Sequence, residues 1–184
     1  MRDQRLTWLT LYRAYATGSA SCFRALEAAA GDVSLALERV AVQAVGAAQM
    51  ERARAEAALD LAWLDSAEVH LITASDARYP PLLRRVAGAP LLLFVRGDPD
   101  ALWTPQLAVV GSRQATAGGL ATARDFAATF VGRGFAVTSG LAAGIDAAAH
   151  QGAMAAGGIT VAVLGTGLRS EEHTSELQSL ACIS

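Results

Sequence analysis

Lysine is missing from this chain. All 15 basic residues are arginine, set against 17 Asp plus Glu, and the formal charge is −2. A dedicated nucleic-acid binder usually carries a basic stripe or a large positive charge, so composition leaves room only for a local binding pocket. Cysteine is nearly missing too: Cys22 and Cys182 are too few for a disulfide framework and are not spaced for a metal. No uninterrupted apolar run reaches the roughly 18–20 residues that a membrane span requires. The opening MRDQRLTWLTLYRAY carries charges inside its apolar pattern and has no small-residue cleavage site, which argues against a secretory signal. A cytoplasmic chain without membrane contact is the expectation.

What is present in abundance is alanine, in a chain of 184 residues that is 53% hydrophobic, enough for one or two domains with a sizeable core. Residues 1–66 have helical character throughout. LTWLTLYRAY sets Leu6, Leu9 and Arg13 at helical spacing, SCFRALEAAAG runs to a stop at Gly31, and Asp32 can cap the helix that follows. QMERARAEAALDLAWL lines Met50, Ala53, Ala57, Leu61 and Leu64 along one face, with Glu51, Arg54, Glu56 and Asp60 elsewhere. A small bundle of three or four helices is expected. Strands are expected at Glu68–Thr73 and Ala89–Val95, with an extended turn at Tyr79-Pro80-Pro81 between them and another turn at Arg96-Gly97-Asp98-Pro99. His70, inside the first strand, has no ligand-type neighbour and is read as structural.

Residues 107–168 organise the rest. Three short apolar runs, Leu107–Val110, Phe135–Thr138 and Thr160–Leu164, each end in a glycine-bearing turn and are separated by helical segments near Gly119–Val131 and Ile145–Ala156. Continuous apolar runs alternating with helices mark parallel strands buried on both faces, hence a β-α-β-α-β unit of Rossmann type. Ligands of such sheets bind at the carboxyl ends of the strands. Gly111–Arg113, Ser139–Asp146 and Gly165–Leu168 should therefore converge on one crevice.

The first of these loops is Gly111-Ser112-Arg113. Gly111 permits close backbone approach, Ser112 offers a hydroxyl, and Arg113 offers a planar fork of donors matched to phosphate. The helix that begins near Thr116–Gly119 adds an N-terminus favourable to an anion. The alternative is a tight turn in which Arg113 pairs with an acid such as Asp146, and the residues alone do not choose between the two. The second loop, Ser139-Gly140-Leu141-Ala142-Ala143-Gly144-Ile145-Asp146, is not GxGxxG, and no acidic residue ends the second strand where a ribose-binding carboxylate would stand. A dinucleotide-dependent redox enzyme is thereby disfavoured, and no cofactor is implied. Asp146 and His150 lie i, i+4 on one helix face. Without a nucleophile or a metal partner they suit a hydrogen-bonded orienting role better than acid–base catalysis. No catalytic or metal-ligating residue is assigned.

VVGSR, TSGLAAGIDAAAH and TVAVLGTGL, in this order and spacing, resemble the DprA/Smf family of DNA-processing proteins, and DARYPPLLRRVAGAPLLLFVRGD resembles the segment before its first Rossmann strand. The likeness covers roughly Val69 to Leu168. It implies an α/β extended Rossmann fold preceded by a small helical domain related to SAM or helix-hairpin-helix modules, with residues 1–66 and 67–168 as the two domains. It further implies a non-enzymatic protein that binds and protects single-stranded DNA and helps to load the RecA recombinase during natural transformation, acting as a homodimer. Arg113 would touch the DNA backbone, while Gly111, Ser112, Ser139, Gly140, Gly144 and Asp146 would shape the pocket. A nucleotide-binding or nucleotide-hydrolysing Rossmann enzyme of the lysine-decarboxylase-like group is the second reading. Its PGGxGT-type loop and catalytic Glu are not found in this sequence.

The last sixteen residues, RSEEHTSELQSLACIS, are polar and have neither strand nor helix period. RSEEHTSELQS resembles the in-frame translation of a sequencing-library adapter, so residues 169–184 are expected to be a non-native tail and His173 and Cys182 to carry no chemistry. Ahead of residue 169 stand 14 Arg and 14 Asp plus Glu, a neutral balance.

Overall fold

The computed structural model describes residues 2–15, 19–43, 45–165 and 181–183. Two compact units emerge, Met1–Leu93 and Phe94–Ser184. The division falls inside the second strand.

In the first unit, α1 (Arg2–Ala14), α2 (Ser19–Ala28), α3 (Val33–Gln43) and α4 (Ala47–Ser66) form the expected bundle. Trp8, Leu9, Leu11, Cys22, Leu26, Val40, Met50, Ala53, Ala57 and Leu64 make its core. Gly31, at φ 85°, takes the left-handed conformation that stops the chain after α2. The Asp32 carboxylate then accepts the amides of Ser34 (2.8 Å) and Leu35 (3.1 Å), so the expected cap is formed. Two positions on α4 depart from the expected pattern: Leu61 is only half-buried, and Asp60 is buried with the apolar face. The reason for the second lies across the bundle, where the Arg13 Nε and Nη2 donate to Asp60 Oδ2 and Oδ1 at 2.6 and 2.7 Å. A bidentate guanidinium satisfies both oxygens, which is the condition for burying a carboxylate. Burial pushes the Cys22 thiol up to about 11, so it is protonated and inert at neutral pH.

Strand β1 (Val69–Thr73) packs against α4 in this unit, and the Ala74 amide donates to Leu91 O at 2.9 Å beside the start of β2 (Leu92–Arg96). This packing joins β1 to the helical bundle. His70 is exposed on β1, outside the core. The Tyr79-Pro80-Pro81 turn is extended only to Pro80; Pro81 opens a single helical turn, α5 (Pro81–Arg84), as its fixed φ allows at the first helical position. Tyr79 is anchored by its hydroxyl, which donates to Pro90 O at 2.7 Å.

The second unit holds the Rossmann-like sheet. A 3-10 turn (Pro99–Trp103), capped by Asp98, leads into β3 (Gln106–Ala108), α6 (Ala117–Gly132), β4 (Ala136–Ser139), α7 (Ile145–Ala155), β5 (Thr160–Val163) and β6 (Ala181–Ile183). Its strand order is β2-β6-β5-β4-β3, with β3, β4, β5 and β6 mutually parallel and β2 antiparallel to β6. Right-handed crossovers that step in one direction along the sheet put α6 and α7 on the same face. There Ala127, Val137, Ala149 and Ala153 form the core, flanked by Val109, Phe130 and Val131.

Burial on both faces, expected of all three central strands, holds best for β4 and β5. Strand β3 is partly exposed, and Val110 beyond it is 74% exposed, because β3 is the edge of the sheet. In α7 the buried set is Asp146, Ala148, Ala149, His150, Gly152 and Ala153, whereas Ala156 lies outside the helix and is exposed. The carboxyl-terminal residues were expected to form no element, yet Ala181–Ile183 form β6. The slot between β5 and β2 presents unpaired backbone groups on both sides, and any short apolar triplet can satisfy them. Residues 166–180, most of the tail, lie outside the described residues. No helix among the described residues is long and apolar enough to cross a membrane.

Candidate functional site

The crevice at the carboxyl ends of β3 and β4 is assembled by two loops pressed together. After Ala108 the chain stays beside β4 for one more bond, Val109 N–H to Thr138 O at 2.9 Å, and then turns through Gly111-Ser112-Arg113. This loop lies on the N-terminus of α7. Ser112 O accepts the Ile145 amide, the first of α7, at 3.2 Å. A Cβ on Gly144 would stand 2.2 Å from Ser112 O and 2.8 Å from Arg113 O, and Gly144 itself has φ +88°. Only glycine meets both requirements. On the other side of the contact, a Cβ on Gly111 would strike the Ile145 side chain at 2.7–2.9 Å. Ile145 also comes within 3.7 Å of the place a Gly119 Cβ would take, so it is wedged between the first loop and the start of α6.

The polar side chains of the crevice divide into those that build it and one that projects from it. Ser112 Oγ accepts the Gln114 amide at 3.1 Å, and Thr116 Oγ1 caps α6 by accepting the Gly119 amide at 3.1 Å. Ser139 is 3% exposed and its hydroxyl donates to Val109 O at 2.6 Å, stitching β3 to β4. Asp146 is 7% exposed; its Oδ2 accepts the Gly140 amide at 3.2 Å and so ties the start of the second loop to α7. The pairing of Arg113 with Asp146 is therefore not formed. Arg113 is exposed, and among the described residues its guanidinium has neither hydrogen bond nor ion pair. The alternative of a tight turn closed by an Arg113–Asp146 pair falls on this geometry.

Deeper in α7, His150 is 1% exposed and its Nδ1 lies 2.7 Å from Thr160 Oγ1, which in turn bonds Val137 O at 2.9 Å. Burial pushes the His150 pKa down, and the Asp146 carboxylate partly opposes this. The ring is neutral at pH 7.

The structure thus brings Gly111, Ser112, Arg113 and Gly144 together around one loop contact, with Asp146 tied to Gly140 and Ser139 to Val109 beside it. Gly165 is exposed at the end of β5, and Thr166 to Leu168, the rest of the expected third rim, lie outside the described residues. Sequence reasoning missed the wedge role of Ile145 and the capping role of Thr116. Both had a local signal, a branched apolar residue directly after a loop glycine and a Thr three residues before a helical glycine. Among the described residues no group of three or more His, Cys, Asp or Glu stands close enough to hold a metal ion.

Residues 70–182 match the family model described as DNA recombination-mediator protein A. The chain is 46% identical over 110 residues to Protein Smf of Escherichia coli K12, an alignment covering 60% of this chain and 29% of that protein. It is 44% identical over 93 residues to the DNA processing protein DprA of Streptococcus pneumoniae, covering 50% and 33%. It therefore spans about a third of the length of these curated relatives. Among solved structures, that of S. pneumoniae DprA superposes with a TM-score of 0.72 at 27% identity, over 95% of this chain and 65% of that one. A structure reporting the single-stranded DNA binding mode of Helicobacter pylori DNA processing protein A superposes with a TM-score of 0.50 at 21% identity, over 62% and 55%, a likeness of fold.

Proposed function

The chain belongs to the DNA recombination-mediator protein A family, and we propose that its crevice binds single-stranded DNA through the phosphate backbone, with Arg113 as the principal contact. The observation that carries this reading is the state of Arg113. A rigid backbone platform, locked by Gly111, Gly144 and Ile145, holds out a guanidinium that no carboxylate among the described residues engages. A planar cation held this way suits a phosphodiester oxygen pair. The fold is shared with H. pylori DNA processing protein A, a protein whose structure reports a single-stranded DNA binding mode.

The site residues divide accordingly. Arg113 and Ser112 face the ligand, Gly111 and Gly144 set the platform, and Ser139, Gly140 and Asp146 position it from beneath. Binding here involves no reaction: the protein shields the strand and hands it to the RecA recombinase in natural transformation, as a homodimer in the cytoplasm. The absence of any gross basic stripe fits this, because affinity then comes from a local site repeated along the strand or across a dimer.

The test is single-stranded oligonucleotide binding by the full chain over a salt series. The expected log–log slope is negative, about 0.7 per phosphate neutralised, and Arg113→Ala should weaken binding and reduce the slope by about that amount. Because Arg113 is exposed and has no partner among the described residues, the melting temperature should not move. Unchanged affinity and slope in Arg113→Ala would remove this residue from the site.

A further inference from the structure

His150 is buried in α7 with one nitrogen accounted for and one not. Thr160 has a single hydroxyl proton, and it is spent on Val137 O at 2.9 Å. Thr160 Oγ1 can therefore only accept from His150, which puts the ring proton on Nδ1. Nε2 is left as a bare lone pair, buried and without a hydrogen-bond partner among the described residues. Such a group is a rarity in a packed interior and calls for an explanation.

One helical turn earlier on the same face stands Asp146, whose Oδ2 holds the Gly140 amide. Among the described residues, the other elements packed on α7 bring no competing charge to the ring. Strand β5 contributes Thr160, β4 contributes the Val137 carbonyl, and α6 turns its Arg124 guanidinium to Gln151 Oε1 at 3.1 Å on the surface. Among the described residues, Asp146 is the charged group that acts on His150.

We propose that His150 is a positioning residue for the crevice, coupling its own protonation to the grip of Asp146 on the Gly140–Gly144 loop. With His150 neutral, Nε2 cannot donate and the Asp146 carboxylate stays committed to Gly140. When Nε2 takes a proton from solvent it becomes a donor, buried one turn from a carboxylate. The Asp146 carboxylate then turns to it, Gly140 is released, and the loop that carries Gly144, and with it the seat of Ser112 and Arg113, loosens. Burial opposes the protonated form, so the change belongs below the ordinary histidine range. The sign follows: a depressed folded pKa gives stabilisation that is complete above the unfolded value of about 6.5 and is lost as pH falls below it.

This inference rests on the DNA-binding reading only for its functional readout. Affinity for a single-stranded oligonucleotide is measured with the full chain between pH 7.5 and 5.5, for the parent and for His150→Gln. The ratio of affinities at the two ends should be at least about fivefold larger in the parent, the lower bound of ordinary coupling between sites. His70, exposed in the other unit, is common to both proteins, so any contribution from it cancels. Equal pH profiles overturn the proposal. In parallel, nitrogen-15 NMR of the parent follows the His150 ring and the Gly140 amide; the two should titrate with one midpoint, and a Gly140 amide that stays constant while His150 titrates overturns the proposal even if His150→Gln does not fold. Absence of DNA binding at every pH would instead sink the DNA reading, while the NMR titration still decides the coupling.

Discussion

The two units are built from different materials. The first, Met1–Leu93, has a core of large side chains, among them Trp8, Leu9, Leu11, Leu26, Met50, Leu64, Ile72, Tyr79 and Leu91. The second, Phe94–Ser184, is packed mostly with alanine, Ala123, Ala127, Ala136, Ala148, Ala149, Ala153 and Ala162, relieved by Val95, Leu102, Val137, Val161 and Leu164. Large side chains keep backbones apart and let a half-buried polar pair, Arg13 with Asp60, fit between helices. Small ones let backbones touch: a Cβ on Gly152 would stand 2.4 Å from Arg124 O, and one on Gly144 2.2 Å from Ser112 O. Where backbones touch, loop position is set with little slack, and the second unit is the one that carries the crevice.

This contrast can be broken by substitution. Gly144→Ala should have the largest effect. It adds a Cβ inside contact distance of two carbonyl oxygens at a positive φ, and strain plus overpacking should together cost at least about 3 kcal/mol. A thermal melt should fall by 10 °C or more, about what that cost implies, and DNA retention should fall with it. A melt within a few degrees of the parent would mean that the two loops are not locked as described.

Asp60→Ala comes next, in the first unit. It strands the Arg13 guanidinium, which is about one-third exposed, so the loss should be about 2–3 kcal/mol, less than for a fully buried pair. Replacing both partners by Met and Leu should recover much of it, since an apolar pair of like volume avoids the unpaired charge. Denaturant titration of the parent and both variants checks this, and equal losses in the single and double variants would contradict it. DNA affinity should be unmoved throughout.

Gly134→Ala is the smallest. Gly134 has φ +82° but nothing within 4 Å of an added Cβ, so only the left-handed penalty of about 1 kcal/mol applies. If this variant proved as damaging as Gly144→Ala, the close approach to Ser112 and Arg113 would not be the reason Gly144 is glycine.

Much of this molecule is legible before any coordinates. The Gly31 stop with its Asp32 cap, the α6 and α7 segments, and the order of three parallel strands follow from local chemistry: a left-handed residue, a short acceptor side chain, and an apolar period that switches from helix to strand. The family resemblance and the crevice loops follow from the same residues. Asp60 resisted such reading, because a charge is placed on the polar face by its own helix and can be drawn inward only by a partner 47 residues away. The exposed character of β3 resisted as well, since an edge strand and a central one share the same apolar run and differ only in what pairs with them.

What the sequence determines alone is the menu of elements and the two glycine loops, since backbone preferences and side-chain periodicity act within a few residues. Tertiary structure decides the rest. It joins β1 to the helices by packing, inserts Ala181–Ile183 between β5 and β2 by open hydrogen-bonding edges, and assigns Asp146 to Gly140 instead of Arg113 by proximity across a loop. That last choice leaves the guanidinium of Arg113 without a carboxylate among the described residues. It is a choice between two acceptable partners for one carboxylate, and only their distances in the folded chain could make it.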